Sequence, residues 1–242
     1  MMRLSRHAIS LVLMFIVTCM PCAFAADVAP HVAQTLDARV IPGKFGNYVE
    51  GIKKARAIFA RIGSKANLRV WNTTIGGPDA GTTLAIVEFP DLATWAADTS
   101  KLAADPEWQQ NQANAMEIRT ILDSSLWREI TPATVDAKAG SVLVVTAVAV
   151  NPGKLEEYRK QVANGISVAA RLGIKNRISM WQSTAAGVNT GMVVVGFEYP
   201  DMSAYVAADE KMTADAEWQK ILGGLDQLRT FKGRWIYREI AP

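Results

Sequence analysis

The stretch LAADPEWQQ, Leu102 to Gln110, returns as MTADAEWQK, Met212 to Lys220, with Asp, Glu, Trp and Gln kept and the proline replaced by alanine. The offset between the two is 110 residues. A repeat of this kind sets the number of folding units before any local pattern is read. The same offset carries Pro42-Gly43-Lys44 onto Pro152-Gly153-Lys154, Tyr48 onto Tyr158, Arg61 onto Arg171, Gly63 onto Gly173 and Trp71 onto Trp181. It continues without a gap through Glu88/Glu198, Pro90-Asp91/Pro200-Asp201 and Asp105/Asp215 to Arg128-Glu129-Ile130/Arg238-Glu239-Ile240. The chain is therefore two copies of one unit of about 100 residues, the size of a small domain.

Each copy reads as the same order of elements. VLVVTAVAV, Val142 to Val150, is apolar on both faces, as a strand covered on both sides should be. Its counterpart near Thr35 to Ile41 is less apolar. Pro-Gly-Lys then opens a helix with the apolar stripe Phe45, Tyr48, Ile52, Phe59 and Ile62, or Leu155, Tyr158, Val162, Ala169 and Leu172, and Gly63 or Gly173 ends it. Two strands follow, Ala66 to Ile75 and Thr82 to Phe89, or Asn176 to Ala185 and Gly191 to Tyr199, joined by turn-forming residues. Asp91 or Asp201 suits the N-cap of a second helix, and Asp105 or Asp215 caps a fresh turn within that helical region. Pro106 then occupies the first helical position, where proline is favoured but not required, which accounts for alanine in the second copy. Trp108 and Trp218 are expected to anchor this region against the sheet. A strand around Leu126 to Ile130, or Trp235 to Ile240, closes the unit.

Strand, helix, strand, strand, helix, strand is the ferredoxin-like split unit, an antiparallel sheet with its helices on one face. The uncovered faces of two such sheets can be buried against each other. The fold class expected is thus α+β, with two tandem ferredoxin-like (βαββαβ) units packed sheet to sheet, one over residues 26–136 and one over 137–242. On the Pro-Gly-Lys entry, the Gly-to-Trp stretch of the second strand and the LAADPEWQ segment, the chain resembles the dimeric α+β barrel proteins. It is similar in particular to NIPSNAP-like proteins and antibiotic-biosynthesis monooxygenases. Members of that group commonly build the barrel from two chains, whereas this chain would supply both halves. The resemblance implies a monomer with pseudo-twofold symmetry or a higher homo-oligomer, and it leaves open whether the chain catalyses a reaction.

The first 25 residues have the three parts of a secretory signal: Arg3 and Arg6, the apolar run Leu11 to Val17, and the small-x-small site Ala23-Phe24-Ala25. The apolar run is shorter than the roughly 20 residues that a membrane-spanning helix needs. Cleavage after Ala25 and export to the periplasm or medium are expected, with no membrane association of the mature chain. Cys19 and Cys22, the only cysteines, lie in this segment, so no disulfide, thiol nucleophile or thiolate metal ligand is expected in the mature chain. Loss of Arg3 and Arg6 takes the formal net charge from +3 to +1, which gives no electrostatic case for a nucleic-acid partner.

His31 is the single histidine beyond the signal, near the new terminus. Serine–histidine and cysteine–histidine catalytic sets and histidine-rich metal sites lack their residues, so no metal is expected. Haem-binding members of the superfamily use a histidine ligand, which the core of neither repeat contains, and no cofactor is expected. What remains is a strand face carrying aromatic rings and cations. Alternation places Asn67, Arg69, Trp71 and Thr73 on one face of the second strand, and Arg177, Ser179, Trp181 and Ser183 on its counterpart. Arg69, Trp71, Arg177 and Trp181 are candidate ligand-binding residues for an aromatic or anionic small molecule. Arg128 and Arg238, recurring on the last strand, are further candidates as a carboxylate clamp, with a cross-strand ion pair such as Arg128 to Glu88 as the structural alternative. Three functions fit: an exported small-molecule-binding protein, a cofactor-free monooxygenase-like or isomerase-like enzyme acting on an aromatic or polyketide-type compound, and a non-catalytic structural or interaction protein.

Overall fold

The computed structural model describes residues 31–131 and 138–240, so the expected signal over residues 1–25 and the expected boundary between residues 136 and 137 lie outside the described residues. The first copy runs β1 (Val32–Val40), α1 (Phe45–Arg61), β2 (Asn67–Ile75), β3 (Thr83–Phe89), α2 (Leu92–Ala104), α3 (Pro106–Met116) and β4 (Arg119–Glu129). The second runs β5 (Val142–Val150), α4 (Leu155–Arg171), β6 (Arg177–Ala185), β7 (Val193–Tyr199), α5 (Met202–Ala214), α6 (Ala216–Leu225) and β8 (Arg229–Glu239). Gly63 and Gly173 follow α1 and α4 at φ of +70° and +67°, the left-handed conformation that ends a helix. Asp105 Oδ1 accepts from Trp108 N at 2.9 Å and Asp215 Oδ1 from Trp218 N at 3.0 Å, so each repeated aspartate breaks one long helix into two.

Within each copy the strands are antiparallel in the order β4-β1-β3-β2 or β8-β5-β7-β6. The sheets face each other, and they are also joined along both edges: β2 pairs with β8, and β4 with β6, closing an eight-stranded barrel. Closure removes the unpaired strand edges that two merely stacked sheets would leave. The joins obey the pseudo-twofold, for Trp71 lies opposite Glu239 and Trp181 opposite Glu129.

Two local expectations are corrected. The last strand of each copy begins earlier than read, at Arg119 and Arg229, because exposed residues such as Thr120 and Leu122 interrupt the apolar pattern although the strand pairs along the whole of β1 across a bulge. Trp108 and Trp218 anchor their helices first to a neighbouring helix. The Trp108 ring lies edge-on to Phe59 of α1 at 5.7 Å, and Trp218 lies over Gly165 of α4, where an added Cβ would strike the indole. The double-sided burial of β5 is as the sequence reads: Val142 and Val144 pack under the helices while Leu143 packs with Trp71 and Tyr237.

Candidate functional site

Strand alternation sends one residue in two to the barrel interior, and the inward set leaves a cavity of about 470 Å³. That volume lies within the range of small-molecule pockets. Four of the protein's seven tryptophans, Trp71, Trp127, Trp181 and Trp235, line it together with Tyr237. Trp71 and Trp181 are only 1% and 7% exposed, and the Trp71 indole N–H is buried without a hydrogen-bond partner among the described residues.

The arginines of β2 and β6 form an ion network at one end. Arg69 Nη1 donates to Glu198 Oε2 at 2.6 Å, Arg69 Nε and Nη2 donate to the two oxygens of Glu239 at 2.9 and 3.0 Å, and Nη2 also donates to Gly140 O. Arg177 Nη1 donates to Glu198 Oε1 at 3.0 Å and its Nη2 reaches Glu88 Oε2 at 3.5 Å. Glu198 thus bridges an arginine from each repeat. Burial opposes the charge of Arg69, but its bonds to Glu239 and Glu198 outweigh that and hold the guanidinium above its ordinary value. For Arg177 burial is likewise outweighed, by the charges of Glu88 and Glu198. Arg69 also lies 4.3 Å from the centroid of the Trp71 ring, a cation–π contact.

The candidate residues therefore separate. Trp71, Trp181 and Arg69 line the cavity, and Arg177 stands behind it in the ion network. Arg128 and Arg238 do not join them, because Trp127 and Tyr237 take the inward positions and their neighbours point outward, where both arginines are exposed. The partner suggested for Arg128, Glu88, pairs with Arg177 instead.

The other end of the cavity was not legible as a site. Asp37 of β1 lies directly opposite Asp123 of β4, beside the bulge at Asp37/Ala38, and Asp79 of the β2–β3 turn joins them. Burial, then the charges of Asp123 and Asp79, push the Asp37 carboxyl up to about 7. Ser125 Oγ donates to Asp123 Oδ2 at 2.6 Å, and Trp235 Nε1 donates to Asp79 Oδ2 at 2.9 Å. Burial, with Asp37 and Asp79 adding to it, also raises the Tyr237 phenol. These aspartates stand 42 and 44 residues apart and form no run. A signal existed in the repeat, since the offset replaces them by Ala147, Asn189 and Gly233 in the second copy. Among the described residues no cluster of His, Cys, Asp and Glu has the geometry to hold a metal ion.

Residues 39–131 match the NIPSNAP family. No curated protein sequence matches the chain. Among solved structures, a candidate monooxygenase from Fusobacterium nucleatum subsp. nucleatum superposes with a TM-score of 0.61 at 13% identity, covering 88% of this chain and 94% of its own. An anthrone oxidase-like protein gives 0.61 at 14% identity, over 89% and 93%. A haem-binding protein from Thermus thermophilus gives 0.52 at 7% identity, over 88% and 92%. At these identities the likeness is one of fold, and with the closed barrel it is sufficient for one conclusion: the chain has the dimeric α+β barrel fold, with both halves joined in a single polypeptide.

Proposed function

We propose that this protein is exported and binds a small aromatic molecule inside its barrel. The observation that carries the reading is the cavity of about 470 Å³ walled by four indoles and Tyr237. Flat π surfaces on opposite walls suit an aromatic guest better than an aliphatic one. The anionic alternative loses its support, since Arg69, the one cation among the cavity's described lining residues, is already paired with Glu198 and Glu239. Asp37, Asp79, Asp123, Glu88 and Glu198 make the lining an acidic one.

Tryptophan fluorescence and native mass spectrometry test the reading. A bound aromatic molecule is expected in protein purified without refolding, and Trp181→Ala should weaken rebinding. Aromatic probes that leave the emission unchanged at millimolar concentration would refute it. Export rests on the N-terminal sequence alone and predicts an intact mass for a mature chain beginning at Ala26.

A second reading, a cofactor-free enzyme, is favoured by Asp37. A carboxyl near 7 in a partly enclosed cavity can accept a proton from a weakly acidic C–H or O–H and release it again at neutral pH. Asp37→Asn would then abolish turnover of a bound aromatic compound while leaving its binding intact. Haem, which the Thermus thermophilus protein is described as binding, does not fit the residues here. The described lining of the cavity offers no imidazole or thiolate, and Tyr237 is held in its neutral phenol form by burial and by Asp37 and Asp79, against the phenolate that ligates ferric iron.

A further inference from the structure

Each half has a second cavity on the outer face of its sheet, beneath the helices, and among the positions at which the two differ is the neighbour of a repeated arginine. In the first half Arg119, at the start of β4, lies 5.9 Å from the centroid of the Tyr48 ring, and its Nη2 donates to Gln112 Oε1 of α3 at 3.2 Å. In the second half Arg229, at the start of β8, stands 5.7 Å from the Tyr158 ring, but the 110-residue offset puts Leu222 of α6 where Gln112 stands. Among the described residues Arg119 keeps one buried nitrogen without a partner, Nε, and Arg229 has two, Nε and Nη1. Asp209 and a second arginine, Arg234, also reach the wall of this cavity.

A guanidinium whose donors are buried and unanswered is costly unless an anion meets it. Arg229 borders a cavity of about 330 Å³, at the small end of the range for ligand pockets. The remaining wall is largely apolar, with Val162, Ile166, Ile178, Val195, Phe197 and Ile221. At its rim Leu222 is 37% and Phe231 57% exposed, large apolar side chains left partly uncovered.

We infer that this outer cavity of the second repeat is a binding site for a carboxylate bearing an apolar chain, with the carboxylate accepting from Arg229 and the chain lying between α4, α6 and the sheet. The site is separate from the barrel interior, which opens on the opposite face of the same strands. Arginine is suited to the role because its charge is permanent and its N–H groups are fixed in one plane. The first repeat lacks the function because the Gln112 amide already occupies its arginine.

The test is titration of the full mature chain with octanoate and with 1-octanol, an uncharged molecule of the same length, followed by calorimetry and by fluorine NMR of fluorotryptophan-labelled protein. Trp218 lines this cavity, whereas Trp71, Trp127, Trp181 and Trp235 line the barrel, so the responding resonance locates the ligand. Octanoate should bind at least about tenfold more tightly than octanol, the size of a charge-assisted hydrogen bond, and should shift Trp218. Leu222→Gln places beside Arg229 the side chain that Gln112 offers Arg119, and it should reduce octanoate affinity about tenfold while leaving octanol binding unchanged. Arg229→Gln should have the same effect by removing the charge. Equal affinity for the two probes, no binding at millimolar octanoate, a Trp218 resonance unmoved at saturation, or unchanged affinity in both variants would overturn the inference.

Discussion

Trp235 Nε1 donates to Asp79 Oδ2 at 2.9 Å, so a side chain from the last strand of the second repeat is held by the β2–β3 turn of the first. The indole reaches that turn because glycines lie on two sides of it. A Cβ at Gly76 or at Gly233 would collide with the Trp235 ring. Trp235→Phe removes the N–H and leaves Asp79 with a lost charge-assisted bond, an expected destabilisation of about 1–3 kcal/mol. Gly76→Ala keeps the bond but drives a methyl into the ring, an overpacking cost also of about 1–3 kcal/mol. Urea unfolding of the two variants measures both, and a Gly76→Ala protein as stable as the wild type would show that the turn yields freely.

Trp71 makes a sharper test of wall against core. Trp71→Ala should cost about 3–5 kcal/mol, since the ring is almost fully buried and stacks with Arg69. Trp71→Phe should stay within about 1 kcal/mol of the wild type, because it keeps an aromatic surface and removes a buried N–H that has no partner among the described residues. Thermal unfolding with and without an aromatic probe checks both variants. A Trp71→Phe protein as unstable as Trp71→Ala would show that the indole is needed for its full shape.

Arg69 joins the two repeats through Glu198 and Glu239. Arg69→Gln leaves Glu198, which is 5% exposed, with Arg177 and the Gly140 N–H, and an expected loss of about 3–5 kcal/mol follows from removing one partner of a buried pair. The double variant Arg69→Gln/Glu198→Gln should lose less than the sum of the two single changes, since neither charge is then stranded. Strict additivity in a double-mutant cycle would deny the coupling.

Asp37 makes stability depend on pH in a direction opposite to that of a salt-bridged aspartate. Its folded value of about 7 lies above the ordinary carboxylate range, so between about pH 4 and 7 the native state binds more protons than the unfolded chain. Its contribution to stability is therefore fully present below the unfolded value and is lost as pH rises through about 7. Asp123 and Asp79 face it from β4 and the β2–β3 turn, and the Tyr237 phenol from β8. Asp37→Asn should remove this slope, making the variant more stable than the wild type at pH 8 and close to it at about pH 4. Parallel denaturation curves at the two pH values would show that Asp37 titrates normally.

The repeated 110-residue register, the apolar alternation of β5, the glycine stops and the aspartate caps all depend on neighbours within a turn or a strand, and such local dependences are written directly into residue order. From them the split βαββαβ unit, its duplication and the inward face bearing Trp71 and Trp181 could be read. Which strand edges meet was not local. The β2–β8 and β4–β6 joins bring together residues more than fifty positions apart, and only barrel closure decided them. The same closure brought Arg69 to Glu198 and Glu239, and Arg177 to Glu88, adding bonds across the two repeats to the Arg177–Glu198 pair that β6 and β7 make within the second. Asp37, Asp79 and Asp123, which no spacing connects, were gathered into one acidic wall by the pairing of β1 with β4 and by the β2–β3 turn of the first sheet. A charge's environment is set by what lies across the sheet and by how much water is excluded there, and both are properties of the assembled barrel rather than of the strand that carries the residue.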